Sequence, residues 1–248
     1  MKQKSIHATR GAVAFQAALI LIALSGGCMV TFAYRNIYTM NPEANDYYTQ
    51  GVRYGREGKT DDSIAAYTRS IRISPSAAAY CSRSAEWCRK GRYDDAVSDA
   101  TRAIMMIPSY ALAYFNRGNA RYLNRDYNGA LKDYTLALNH DPGRTEYYFN
   151  CGLAYALTGR AEEAAGMYRK AVEADPRNAK AYYNLACYYS ERKDAANALN
   201  YLDRAVTEGF KDIHMIANDR ALNAIRANKG YLRVIRRIET ILRKDQRK

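Results

Sequence analysis

The side chains that could carry chemistry are few and poorly placed for it. The five cysteines are Cys28, Cys81, Cys88, Cys151 and Cys187, with no Cys-x-x-Cys pair and no Cys/His spacing suited to zinc. Cys81 and Cys88 are seven residues apart, which on one helix is ~10 Å of rise and too far for a disulfide. The histidines His7, His140 and His214 lack a partner at catalytic spacing. The carboxylate pairs Asp61-Asp62, Asp94-Asp95 and Glu162-Glu163 fall where helices are predicted to begin, and there they complement the helix dipole. No nucleophile elbow, phosphate loop, HExxH or dinucleotide fingerprint occurs. These residues predict no enzyme, no metal and no cofactor.

What orders the chain is a repeat. All five prolines, Pro42, Pro75, Pro108, Pro142 and Pro176, recur at intervals of 33 or 34 residues. Aligned on them, other columns emerge: Tyr47, Tyr80, Tyr114, Tyr148 and Tyr182, then Tyr54, Trp87, Arg121, Tyr155 and Tyr189. Small residues follow at Ser63, Ala96, Ala130, Ala164 and Ala198, a mostly aromatic column at Tyr67, Ala100, Tyr134, Tyr168 and Tyr201, and small ones again at Ser70, Ala103, Ala137, Ala171 and Ala205. A period of this length is that of stacked helical hairpins. Small residues let helices approach where they cross, rings fill the space above, and the proline ends each second helix. Gly58, Gly91 and Gly159 suit the left-handed turns inside the hairpins.

These columns resemble the tetratricopeptide repeat, whose signature runs W-x2-L-G-x2-Y, A-x3-F and P. The resemblance covers residues 43–210 as five repeats, 44–76, 77–110, 111–144, 145–178 and 179–210. Tyr replaces the Trp throughout, Ser84 and Ala186 fill glycine slots, and Arg121 interrupts an aromatic column. It implies an all-α, right-handed α-solenoid. An array of this kind leaves its last hairpin uncovered, so residues 211–248 are expected to cap it with two helices, 212–226 and 230–244. In the second, Tyr231, Val234, Ile235, Ile238, Ile241 and Leu242 form an i, i+3, i+4 stripe opposite Arg233, Arg236, Arg237, Arg243 and Lys244.

The resemblance further implies a concave groove lined by the first helix of each hairpin. It places Tyr48, Cys81, Phe115, Phe149 and Tyr183 there, followed by the amides Asn116, Asn150 and Asn184, with Asn119 one turn on and Arg56 and Arg89 near the groove's N-terminal end. Rings supply contact area at low entropy cost and amides can pair with backbone, so the expected partner is a protein or peptide. The carboxylate clamp known in this family is not reproduced, since Tyr48 and Cys81 stand where lysine is needed.

Charge sorts the remaining classes. Residues 43–210 hold 23 Lys and Arg against 21 Asp and Glu, whereas residues 211–248 hold 11 against 4. The array is therefore near neutral, which argues against nucleic acid; the basic C-terminal helix leaves anionic lipid or nucleic acid as the alternative ligand. The N-terminus reads as a membrane attachment. A basic flank (1–10) precedes 24 uncharged residues (11–34), ~36 Å as a helix, enough to span a bilayer core, and a linker follows at 35–42. The same stretch also reads as a signal segment ending in LSGGCMV, with Cys28 as the acylated residue of a lipoprotein. Either way the repeats are expected on the extracytoplasmic side of a bacterial envelope.

Overall fold

The structure, a computed structural model, describes residues 41–245. The predicted anchor 11–34 and Cys28 lie outside the described residues. Within them five hairpins follow one another: α1 (Pro42–Arg56) with α2 (Thr60–Ile73), α3 (Ala77–Arg89) with α4 (Tyr93–Met106), α5 (Ala111–Leu123) with α6 (Tyr127–His140), α7 (Thr145–Leu157) with α8 (Ala161–Ala174), and α9 (Ala179–Glu191) with α10 (Ala195–Thr207). Then come the short α11 (Ile213–Asn218), a 3-10 turn (Arg220–Leu222) and α12 (Lys229–Asp245). No helix among the described residues is long and apolar enough to cross a membrane.

Local chemistry sets the breaks. Pro42 opens α1 behind Asn41, whose side chain accepts from the Glu43 and Ala44 amides. Before Pro75, Pro108, Pro142 and Pro176, the residues Ser74, Ile107, Asp141 and Asp175 are extended, because proline disfavours the helical region in its predecessor. Inside the hairpins the chain turns through positive φ at Gly58, Gly91 and Gly159, as expected, but also at Arg125 (65°) and Lys193 (61°).

The two helices of each hairpin pack on one another, the second helix packs on the first helix of the next hairpin, and α1 touches α3 as α3 touches α5. The column logic appears as paired volumes. In repeats 1, 3 and 4 a glycine, Gly51, Gly118 or Gly152, lies under a tyrosine ring, Tyr67, Tyr134 or Tyr168; a Cβ there would meet a ring carbon at 2.5–2.7 Å. In repeat 2 the equivalent residues are Ser84 and the smaller Ala100, both fully buried. In repeat 5 the residue in the ring column is Leu202, fully buried, and not Tyr201, which stacks one position aside on Tyr189 at 5.3 Å. The expected column was thus one residue off, since the ring at 201 points away from the slot that the period defines. Ser63 and Ser70 satisfy themselves by donating to the Gly51 and Ala44 carbonyls at 2.8 and 2.7 Å.

The cap differs from the two helices expected. The predicted helix over 212–226 breaks at Asp219, which is extended (φ −70°, ψ 118°) and caps the 3-10 turn through the Ala221 amide. Residues 213–225 wrap onto α9, burying Ile216, Leu222 and Ile225 with Tyr183. α12 then lies against α10, and its Tyr231, Val234 and Ile238 complete the same core.

Candidate functional site

A cavity of about 360 Å³ opens on the face made by α3, α5 and α7. Ala85, Cys88 and Arg89 come from α3, Asn116, Asn119, Tyr122 and Leu123 from α5, and Asn150 and Leu153 from α7; Tyr134 of α6 forms the floor. The walls are mainly apolar and the polar atoms are concentrated in three amides from α5 and α7. Asn119 is their centre: its Oδ1 accepts from Tyr134 Oη at 2.8 Å and from Asn150 Nδ2 at 3.0 Å. Asn116 Nδ2 donates to the Cys81 carbonyl at 3.0 Å and to Cys81 Sγ at 3.3 Å. No hydrogen bond among the described residues engages Asn119 Nδ2, Asn116 Oδ1 or Asn150 Oδ1. One donor group and two acceptors are thus left over at an apolar cavity, the complement of a peptide backbone.

The predicted groove residues divide sharply. Arg89, Asn116, Asn119 and Asn150 line the cavity. Phe115 and Phe149 are half-buried and pack on the core: Phe115 sits 4.5 Å from Tyr147 and 5.8 Å from Tyr134, and Phe149 sits 5.9 Å from Tyr168. Tyr48 likewise leans on Tyr67 at 5.6 Å, with its hydroxyl 3.4 Å from Ser82 Oγ. Cys81, expected at the surface, is buried beneath Asn116. Tyr183 is also buried: Phe210 stacks on it at 4.3 Å and its hydroxyl donates to Asp219 at 2.6 Å. The cap segment therefore covers the concave face at the fifth repeat. Asn184 spends its amide on the Lys180 carbonyl of its own helix, and Arg56 lies exposed on α1 outside the cavity. Sequence reasoning passed over Cys88, Tyr122 and Leu123. The signal was helical: Tyr122 and Leu123 follow Phe115 by seven and eight residues, two turns along the same face.

Arg89 is the one charged residue of the cavity, and its position is fixed. Nη1 donates to the Gly55 carbonyl at 3.1 Å and to Glu86 Oε2 at 2.9 Å. Glu86 is buried between α1 and α3; burial pushes its carboxyl up, and the Arg89 charge opposes that shift. The thiol that lines the cavity is held in its protonated form at neutral pH. Burial raises Cys88 to about 11, and Cys81 and Cys151 to about 12.

Beneath this face runs a network that the sequence reading missed. Arg83 grips Asp99 with two bonds, Nε–Oδ2 at 2.7 Å and Nη2–Oδ1 at 2.8 Å, while Trp87 Nε1 donates to the same carboxylate and Arg83 Nη1 reaches Thr68. One repeat later Arg117 grips Asp133, Arg121 adds a third cation-to-carboxylate bond at 2.8 Å, and Thr101 takes the Thr68 role. Arg121 thus leaves the aromatic column because it serves Asp133, which is 1% exposed. At the far end of the chain α12 spends its apolar stripe on the cap; Arg237 pairs with Asp203 at 2.8 Å, and Arg233, Arg236, Arg243 and Lys244 remain exposed.

Comparison with known proteins agrees with this architecture. A tetratricopeptide repeat family profile matches residues 111–144 and 145–178, and a second profile of the same repeat matches residues 167–200. No curated protein matches the chain. Among solved structures, PilF of Pseudomonas aeruginosa is similar over 80% of this chain and 91% of its own, with TM-score 0.69 and 16% identity. MamA of Desulfovibrio magneticus RS-1 is similar over 68% and 97% (TM-score 0.62, 19% identity). TTC0263, a thermophilic TPR protein of Thermus thermophilus, is similar over 73% and 98% (TM-score 0.57, 18% identity). Residues 111–200 are therefore tetratricopeptide repeats, and the described chain folds as the all-α solenoid that such repeats build.

Proposed function

We propose that the chain is an adaptor that holds an extended segment of a partner protein across α3, α5 and α7, and that its N-terminal segment tethers it to a membrane. The observation that carries the first part is the trio Asn116, Asn119 and Asn150, converging on one apolar cavity with a donor group and two acceptors unspent. Amides of this kind read backbone without reading sequence, while Leu123 and Leu153 offer apolar surface to alternate side chains. The tether rests on the sequence of residues 11–34 and on Cys28.

Affinity capture from detergent extract tests the adaptor. Leu123 is 47% exposed, so Leu123→Asp places a charge in the cavity without breaking the core, and Asn150→Ala removes one amide. Both variants are expected to lose the captured partner while keeping the wild-type melting curve. Retention of the partner by both would end the groove assignment. For the tether, the intact mass of native protein decides: full length for a retained span, or an acylated species beginning at Cys28 for a lipoprotein. A cleaved, unacylated species recovered from the soluble fraction would remove it.

A further inference from the structure

We infer that the partner segment carries an acidic residue that docks on Arg89, with its apolar contacts beginning about two to four residues away on the same face of the strand. This rests on the groove reading above and names the chemistry of its ligand. Among the cavity-lining residues Arg89 is the only charged one, so the site has a cationic corner and no anionic one. Its guanidinium is held rather than free: Nη1 is bound to the Gly55 carbonyl of α1 and to the buried Glu86, while Nε and Nη2 have no partner among the described residues. The side chain is 50% exposed, against 6% for Glu86, so the cation faces solvent and its counter-charge lies behind it. A fixed planar fork with unspent N–H groups beside a cavity is what a carboxylate matches, and pre-organisation lowers the entropy lost on binding.

The spacing follows from the helices. Neighbouring first helices lie ~10 Å apart, so Leu123 on α5 is about one step from Arg89 and Leu153 on α7 about two. An extended peptide advances ~3.3 Å per residue. Side chains of an extended strand alternate faces, so with an acidic residue at Arg89 the residue about two or four along faces Leu123 and about the sixth faces Leu153, with the intervening backbone over Asn116, Asn119 and Asn150.

The probe is a random dodecapeptide library displayed on phage and selected on the full chain in detergent; twelve residues reach ~40 Å, enough for all three helices. Selected peptides that lose binding to Leu123→Asp are groove ligands. These are expected to share one Asp or Glu followed or preceded, about two or four residues away, by an apolar side chain on the same face of the strand. Replacing that acid by its amide in the peptide should weaken binding to the wild-type chain by about tenfold or more. Arg89→Gln should weaken it similarly, and the two changes together should cost no more than either alone, because they delete one contact. The peptide change leaves the protein intact, so a folding effect of Arg89→Gln cannot mimic the coupling. Groove ligands without a shared acid, or two costs that simply add, would overturn the Arg89 assignment and leave the groove standing. If no selected peptide responds to Leu123→Asp, both fall.

Discussion

Repeats 2–3 and repeats 4–5 share a backbone and differ in what fills the slot between the two helices of each hairpin. In repeats 2 and 3 the slot holds Arg83 with Asp99 and Arg117 with Asp133. In repeat 4 the equivalent residues are Cys151 and Met167, and in repeat 5 Leu185 and Tyr201. The charged version works only when complete. Asp133 has three nitrogen donors within 3.0 Å, and Thr101 takes a further Arg117 donor. The apolar version has no such condition: Leu185 and Cys151 are buried and lose only packing when altered. One fold thus tolerates two kinds of interior, and the polar one underlies the helix that carries Asn116 and Asn119.

The largest effect should come from Asp133→Ala, which strands Arg117 and Arg121 beside the core; a loss of about 3–5 kcal/mol in urea unfolding is expected. Rebuilding the site in the image of repeat 4, with Arg117→Cys, Arg121→Tyr and Asp133→Met together, should recover most of that loss. A triple variant as unstable as Asp133→Ala would break the comparison, because the slot would then need its charges. Next, Leu185→Ala in the apolar half should cost about 2–4 kcal/mol by leaving a cavity, and no partial rescue by a charge is expected there. Smaller again is Gly118→Ala. Its Cβ meets the Tyr134 ring at 2.7 Å in a buried position, so unfolding should show a loss of about 1–3 kcal/mol. The smallest effect has the opposite sign: Lys193→Gly and Arg125→Gly relieve left-handed backbone and should each raise stability, by under about 1 kcal/mol, in a calorimetric melt.

Most of the helices were legible because the constraints that make them are local. Proline spacing, turn glycines and small-residue columns act through the next few residues, and the chain repeats them, the prolines and small columns five times and the turn glycines in three hairpins. The failures have one cause each. Tyr201 was read into the ring column by its type, although the four-residue step from Ala198 lands on Leu202. The break at Asp219 has neither Pro nor Gly to announce it, so residues 212–226 looked like one helix. Arg121 looked like a flaw in a column, while its meaning lay twelve residues on at Asp133. That signal was available, since Arg83 with Asp99 and Arg117 with Asp133 keep the same separation of sixteen, one period apart. The groove was legible as a set of helices but not as a surface. Register places Phe115, Phe149 and Tyr183 toward the concave side, yet register cannot say that a neighbouring ring or the cap will cover them.

The cap at the fifth repeat has a consequence for any segment lying along this face. With Phe210 and Asp219 seated on Tyr183, and Asp219 Oδ2 3.6 Å from Cys187 Sγ, the trough is closed at the fifth repeat. A strand held there as proposed would meet that wall when it moves toward α9, and a stop turns sliding into measurement. On that proposal a segment that reaches the wall would be held in a single register, and the groove would read where it ends or bends as well as what it is made of.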